Sequence, residues 1–230
     1  MPTIPLRRRA RAAGALALLL LAGPALAGAG PRDDGRAHGH GMHRAAVLPP
    51  TARPHGYSLD DMARLTAAFN VDRSRPVPNT PFQILYSSPT APSPFRVGQG
   101  TILYVPVAYN DDSLPVIGDF PADIENRRQL LKYWYSPQQW GSVYMEIVVD
   151  GKTTPLGPRY LSGVHFTQPL PDGALNYMTP AAFVGPLRPG AHTVEIRLKA
   201  TGDAFREEPV SEFFPDGFFE FSVVYDVLVN

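Results

Sequence analysis

The chain contains no cysteine. That one absence removes disulfides, thiolate zinc sites, iron–sulfur clusters, c-type haem attachment and cysteine nucleophiles. The fold must then be held by its core alone, and roughly 150 residues are enough for that. Tryptophan is scarce: Trp134 and Trp140 are the only two. Charge of one sign is also lacking, since 21 Lys plus Arg balance 21 Asp plus Glu. Without a basic footprint the composition argues against nucleic acid as a partner. No basic amphipathic segment supports a membrane-surface role. The familiar catalytic signatures are missing as well. There is no G-x-S-x-G elbow, no H-E-x-x-H, no phosphate-binding glycine loop and no dinucleotide fingerprint.

What is present begins with an export signal over residues 1–27. Arg7, Arg8, Arg9 and Arg11 form a positive n-region, and an uncharged stretch from Ala12 to Ala22 follows. Pro24 breaks any helix, and Ala25-Leu26-Ala27 supplies the small-x-small cleavage pattern, which predicts a mature start at Gly28. The competing reading is a membrane anchor, but the strongly apolar part is about half of the roughly 20 residues a bilayer needs. Beyond the adjacent arginines nothing supports a twin-arginine signal, and no cysteine is present for lipidation. The leader takes four basic residues and no acidic one, so the mature chain carries a formal charge of about −4. The expected location is the periplasm or the extracellular space, with no transmembrane segment left after cleavage.

Residues 28–57 are rich in Gly, Arg, His, Pro and Ala without apolar periodicity, and read as a flexible arm. A short helix follows. Ser58 is a good N-cap, Asp61 completes a capping box, and Tyr57 is placed to staple onto Met62. Leu59, Met62, Leu65 and Phe69 fall at helical spacing, and Asn70 is a plausible stop. Pro76, Pro78 and Pro81 then mark an extended connector.

From Phe82 onward the pattern is β. Leu103, Val105, Val107 and Tyr109 share one face, with Pro106 pointing to a sheet edge or bulge. Val143, Met145, Ile147 and Val149 alternate with Tyr144, Glu146 and Val148 up to the tight-turn pair Asp150-Gly151. Tyr160 to Phe166 is the expected return strand. Val194, Ile196 and Leu198 alternate with Glu195, Arg197 and Lys199 after a Pro189-Gly190 turn. Phe219, Phe221, Val223, Tyr225, Val227 and Val229 oppose Glu220, Ser222 and Asp226. A further short helix is expected within Asp123 to Tyr135. Together these predict a mainly β chain: a single antiparallel β-sandwich or jelly-roll-like domain over 58–230, preceded by a short N-terminal helix.

Several of these segments have a family look. Pro81-Phe82-Gln83-Ile84-Leu85-Tyr86, Tyr104-Val105-Pro106-Val107 through Asn110-Asp111-Asp112-Ser113, and Val149-Asp150-Gly151-Lys152 resemble a group of exported bacterial β-sandwich proteins of unknown function. Pro186-Leu187-Arg188-Pro189-Gly190-Ala191-His192-Thr193-Val194 resembles their PL-x-PG-x-HTV segment. The resemblance spans roughly residues 58–230 and implies a secreted sandwich. It carries no catalytic residue and no activity.

Three groups of residues bear on function. His38, His40 and His43, with Met42, lie on glycine-rich chain and suit Cu, Ni or Zn; the bland reading is a His-rich arm. Asn110, Asp111, Asp112, Ser113, Asp119 and Asp123 supply oxygen ligands for Ca²⁺, although their spacing is not that of an EF-hand, and Asn and Asp also shape turns. Tyr133, Trp134, Tyr135 and Trp140 surround Gln138 and Gln139. Exposed, with Trp140 at the outer edge, these rings and amides would stack on a glycan or anchor an envelope protein; inward, they would plug the domain. His165 and His192 read as structural. Glu146, Glu195 and Glu220 offer carboxylates, but a glycosidase pair needs a separation that sequence spacing does not contain. The leading expectation is a non-enzymatic exported domain that binds a ligand or partner or has a structural role, with no required cofactor. A carbohydrate-active enzyme and a periplasmic metal handler are the alternatives.

Overall fold

The computed structural model describes residues 46–230. Over this range the chain is mainly β, with two α-helices and ten strands. Helix α1 spans Leu59–Val71, and α2 spans Arg127–Tyr135. One sheet contains β1 (Gln83–Ile84), β3 (Leu103–Pro106), β4 (Asn110–Asp111), β7 (Leu161–His165) and β8 (Asn176–Val184). The other runs β2 (Phe95–Val97), β10 (Phe219–Val229), β9 (Gly190–Ala200), β5 (Ser142–Val149), β6 (Lys152–Pro155).

Both sheets are mixed, which corrects the expectation of a purely antiparallel domain. β1 pairs parallel with β3, and β2 pairs parallel with β10. Parallel neighbours need a crossover, and the chain makes one by leaving the first sheet after β1, adding β2 to the second, and returning as β3. The remaining ladders are antiparallel, the longest being β9 with β10.

Side chains from both sheets meet in one buried cluster. Val105, Met178, Ala182 and Val184 of the first sheet join Met145, Ile147, Val194, Ile196, Leu198 and Val227 of the second. The first sheet is also covered on its other face. α1 lays Leu59 and Met62 onto Tyr104 and Phe183, and Ala63 and Ala67 onto Val164 and Tyr177. β8 is therefore buried on both faces, which explains its near-continuous apolar run and its absence from any period-two reading.

Pro180 sits within β8, an unusual place for a residue that cannot donate to a ladder. Its carbonyl accepts from the Val107 N–H, so its nitrogen faces the break between β3 and β4. There the Thr179 hydroxyl supplies a bond to the Ala108 carbonyl instead. Pro106 follows the same logic. Its nitrogen faces the β1 side, beyond the two residues that β1 pairs.

The capping box on α1 forms as expected, with Asp61 N–H donating to Ser58 Oγ at 3.1 Å and Ser58 N–H to Asp61 Oδ2 at 2.8 Å. Leu65 is exposed, because the buried stripe runs through Leu59, Met62–Ala63, Thr66–Ala67 and Asn70. Asn126 caps α2 by accepting from the backbone of Arg128 and Gln129. Asp150 (φ 49°) and Gly151 (φ 79°) make the expected hairpin turn, but the returning strand is β6. Tyr160 to Phe166 instead contributes β7, alongside β8 in the first sheet. Val143 is exposed rather than inward, because the β5 register shifts by a bulge between Ser142 and Tyr144. Residues 46–57, expected as part of the arm, lie against the first sheet. Val47 bridges Val184, and the Leu48 N–H donates to the Phe183 carbonyl at 2.8 Å.

The Val149–Lys152 turn and the Pro186–Val194 segment meet in space. Asp150 accepts from the Thr193 N–H at 2.9 Å and pairs with His192 Nδ1 at 2.6 Å, while His192 Nε2 donates to the Arg188 carbonyl at 2.7 Å. Burial acts against the charged imidazole, but Asp150 and the carbonyl together raise its pKa above the ordinary value.

One close approach tests this packing. A Cβ on Gly163 of β7 would overlap the Ile124 carbonyl oxygen and crowd Ile124 Cγ1, whereas one on Gly157 would meet open space. Gly163→Ala should lower stability by about 1–3 kcal/mol, as overpacking does, and Gly157→Ala should be close to neutral. Chemical denaturation of the two variants measures this; equal midpoints would contradict the placement of β7 against residue 124.

Candidate functional site

The aromatic segment is core, not a ligand platform, which corrects the expectation for Trp140. Its exposure is 2 %, and that of Trp134 is 0 %. The two ring centroids are 4.3 Å apart, and Trp140 meets Phe205 and Phe219 edge-on. Its Nε1 donates to the Tyr133 hydroxyl at 3.0 Å. That hydroxyl also accepts from Asn110 Nδ2 and donates to the Ile117 carbonyl, so Tyr133 is buried and fully engaged. Gln139 is turned inward too, with its Oε1 accepting from the Asp119 N–H at 2.8 Å. Tyr135 is partly buried, and only Gln138 of this group is exposed. The cause is tertiary. Residues 203–219 fold back over the 136–141 loop and bring Phe205 and Phe219 against the indole.

The acidic loop is not assembled around a cation. Asp111 Oδ1 accepts from the Ser113 N–H at 3.0 Å and from its hydroxyl. Asp112 Oδ1 accepts from the backbone of Leu175 and Asn176, and its Oδ2 from Asn176 Nδ2 at 2.7 Å. Asp119 faces Gln139, and Asp123 caps the turn before α2. Among the described residues no group of three or more His, Cys, Asp or Glu is placed to hold a metal ion. Several of the oxygens expected for Ca²⁺ accept from N–H and O–H donors instead. His38, His40 and His43 lie outside the described residues.

The loop instead brings Asp111 near enough to Asp172 for the second carboxyl to act on it. Burial raises the Asp111 pKa to about 6; the Ser113 hydroxyl works against the rise and Asp172 adds to it.

A second polar group lies nearby, where α1 ends. Arg73, two residues past the helix, stacks its guanidinium 4.5 Å from the centre of the Phe69 ring and 5.8 Å from that of Tyr86. Its Nη1 donates to Asn70 Oδ1 at 3.0 Å, and Asn70 Nδ2 in turn donates to the Tyr177 hydroxyl at 2.6 Å. Among the described residues Arg73 has no carboxylate within ion-pair distance. Burial lowers its pKa, and the groups acting on it most are the phenols of Tyr177, Tyr109, Tyr225 and Tyr86. Tyr109 stacks on Tyr177 with centroids 5.6 Å apart, and burial pushes its pKa up to about 12. Tyr109 was expected on the inner face with Val107. The break between β3 and β4 turns it to the α1 side.

A shallow depression of about 360 Å³ is lined by His55, Gly56, Tyr57, Asp61, Arg64 and Leu65. Its charged groups are already committed: Asp61 to the helix cap, Arg64 to the His165 carbonyl and Glu125. Neither Arg73 nor Asp172 was singled out from sequence. Each sits in an irregular connector with no motif, and only the ends of α1, β4 and β8 bring them together. No family model, curated protein or solved structure matches the chain.

Two substitutions check this description. Trp140→Ala should cost about 3–5 kcal/mol, as for other buried tryptophans, and Gln138→Ala should leave the melting temperature unchanged. Comparable small shifts would return Trp140 to the surface. For Asp111, the folded-state pKa is raised, so the native state binds the proton more tightly and loses stability as pH rises from about 4 to about 6. Asp111→Asn keeps the Oδ1 acceptor and removes that loss. It should be more stable than the parent by about 1–3 kcal/mol at pH 7 and equal to it below pH 4. A variant that is less stable at pH 7 would contradict the raised pKa.

Proposed function

We propose that this chain is an exported β-sandwich domain that binds a ligand or envelope partner without transforming it. The two sheets, joined through one buried cluster, support the sandwich description. The N-terminal leader pattern and the resemblance to exported sandwich proteins support the location. Among the described residues no helix is long and apolar enough to cross a membrane.

One observation carries the binding reading. Arg73 is a partly buried guanidinium with a single protein acceptor, held against the rings of Phe69 and Tyr86. A cation so placed has most of its donors available to a partner. Non-enzymatic action is favoured because the Asp111 carboxyl is already engaged by the Ser113 N–H and hydroxyl.

The test uses protein recovered from the periplasm or medium of the producing cell. N-terminal sequencing should begin at Gly28. Incubated with purified envelope polysaccharide, the protein should be retained and should release no new reducing ends. Release that disappears in Asp111→Asn would replace this reading with the carbohydrate-active enzyme. An intact N-terminus on cytoplasmic protein would defeat export.

A further inference from the structure

The binding reading leaves the ligand's chemistry open, and the surroundings of Arg73 narrow it. A guanidinium presents five N–H donors and no acceptor, and here one of them meets Asn70 Oδ1. Phe69 and Tyr86 hold the group in place through their ring faces, so it is already oriented before any ligand arrives. The rings themselves are braced. Phe69 meets Tyr86 edge-on at 5.0 Å, Tyr86 meets Phe95 at 5.6 Å, and Phe95 meets Tyr225 at 6.0 Å. This chain of rings ties the end of α1 to β10 of the second sheet. Among the described residues the hydroxyls of Tyr86, Tyr109 and Tyr225 make no hydrogen bond to protein, although Tyr109 and Tyr225 are mostly buried. Burial pushes the Tyr109 and Tyr225 pKa values up to about 12, so both hydroxyls remain donors at neutral pH. The guanidinium is therefore surrounded by hydroxyls able to donate, with the Asp111 and Asp172 carboxyls lying on the Tyr109 side.

We propose that Arg73, with the hydroxyls of Tyr86, Tyr109 and Tyr225, binds an oxyanion: a free inorganic phosphate-like ion or the carboxylate of an acidic sugar. This rests on the reading of the chain as a binding domain and specifies what it binds. A planar fork matches two oxygens of a carboxylate or phosphoryl group, and the phenols add donors around it. Asn70 keeps the fork from rotating, and its own bond to Tyr177 fixes Asn70. Asn70 is thus a positioning residue and Arg73 the contact. A purely structural Arg73 would serve only to cover Phe69 and the end of α1.

The experiment titrates the mature protein at constant ionic strength with inorganic phosphate, with glucuronate, and with neutral glucose as the control. Binding is followed by calorimetry and by the NMR shift of the Arg73 Nε–H. At least one anion should saturate and move that resonance, and glucose should not. Response to phosphate alone assigns a free ion, and response to glucuronate assigns an acidic glycan. Arg73→Gln should weaken binding by about tenfold or more, Arg73→Lys by less, and Tyr109→Phe by a few-fold without a change in melting temperature. Absence of saturable binding by both anions overturns the proposal, as does unchanged affinity in Arg73→Gln. If Arg73→Gln fails to fold, an unmoved Arg73 resonance in the parent protein overturns it equally well. Envelope polysaccharide still retained by Arg73→Gln would sink the oxyanion site and leave the binding reading standing. Phosphate binding without any envelope retention would do the reverse.

Discussion

The structure depends on one packing contact, that of α1 against the outer face of β8. β8 pairs on both edges and is buried on both faces, so its outer side chains must be kept from water by another element. α1 does this with small residues. Ala63 and Ala67 let the helix approach Val164 and Tyr177 closely, while Leu59 and Met62 reach Tyr104 and Phe183. Among the described residues the outer face of the second sheet has no such cover and is largely polar instead. There Lys199 and Tyr144 share Glu220, and Arg197 makes a two-pronged pair with Glu195. Such exposed pairs add little stability and keep that face solvated.

The same demand for burial decides the fate of the aromatic segment. Trp134, Trp140, Phe205, Phe214 and Phe219 form a continuous set of ring contacts at one end of the core. Most polar groups caught there are paired: the Tyr133 hydroxyl takes the Trp140 and Asn110 donors and gives its proton to Ile117, while the Trp134 indole N–H is buried without a partner. Buried polar atoms left without such partners would cost more than their packing returns. The features that looked most like a ligand platform are thereby used up in closing the domain.

What remains for function lies at the opposite end of the polarity scale, around the close of α1. Arg73 has donors to spare, and the Asp111 and Asp172 carboxyls both act on neighbouring Tyr109. Asp111 is hydrogen-bonded to Ser113, and its raised pKa ties it to stability. The guanidinium faces a donor-rich surround and is suited to hold an anion. On the proposed reading, binding and structural roles are separated between two neighbouring polar groups.

Sequence alone determined the local elements whose signals are chemical or periodic. Ser58 and Asp61 start α1, Asp150-Gly151 turns a hairpin, and β9 and β10 alternate because one face of their sheet meets water. It did not contain β8, whose two buried faces erase alternation, nor the switch of Leu161–His165 into the first sheet, since pairing partners leave no local mark. It placed Trp140 at an edge because Gly141 and Pro137 flank it, while the rings that bury it come from residues 205 and 219. The parallel pairings of β1 and β2 and the meeting of Arg73 with Tyr109, Tyr177 and Tyr225 were likewise decided by tertiary structure. Period and cap chemistry act over a few residues and can be read along the chain. Which surfaces face each other depends on contacts between segments far apart in sequence, and these exist only once the sheets have packed.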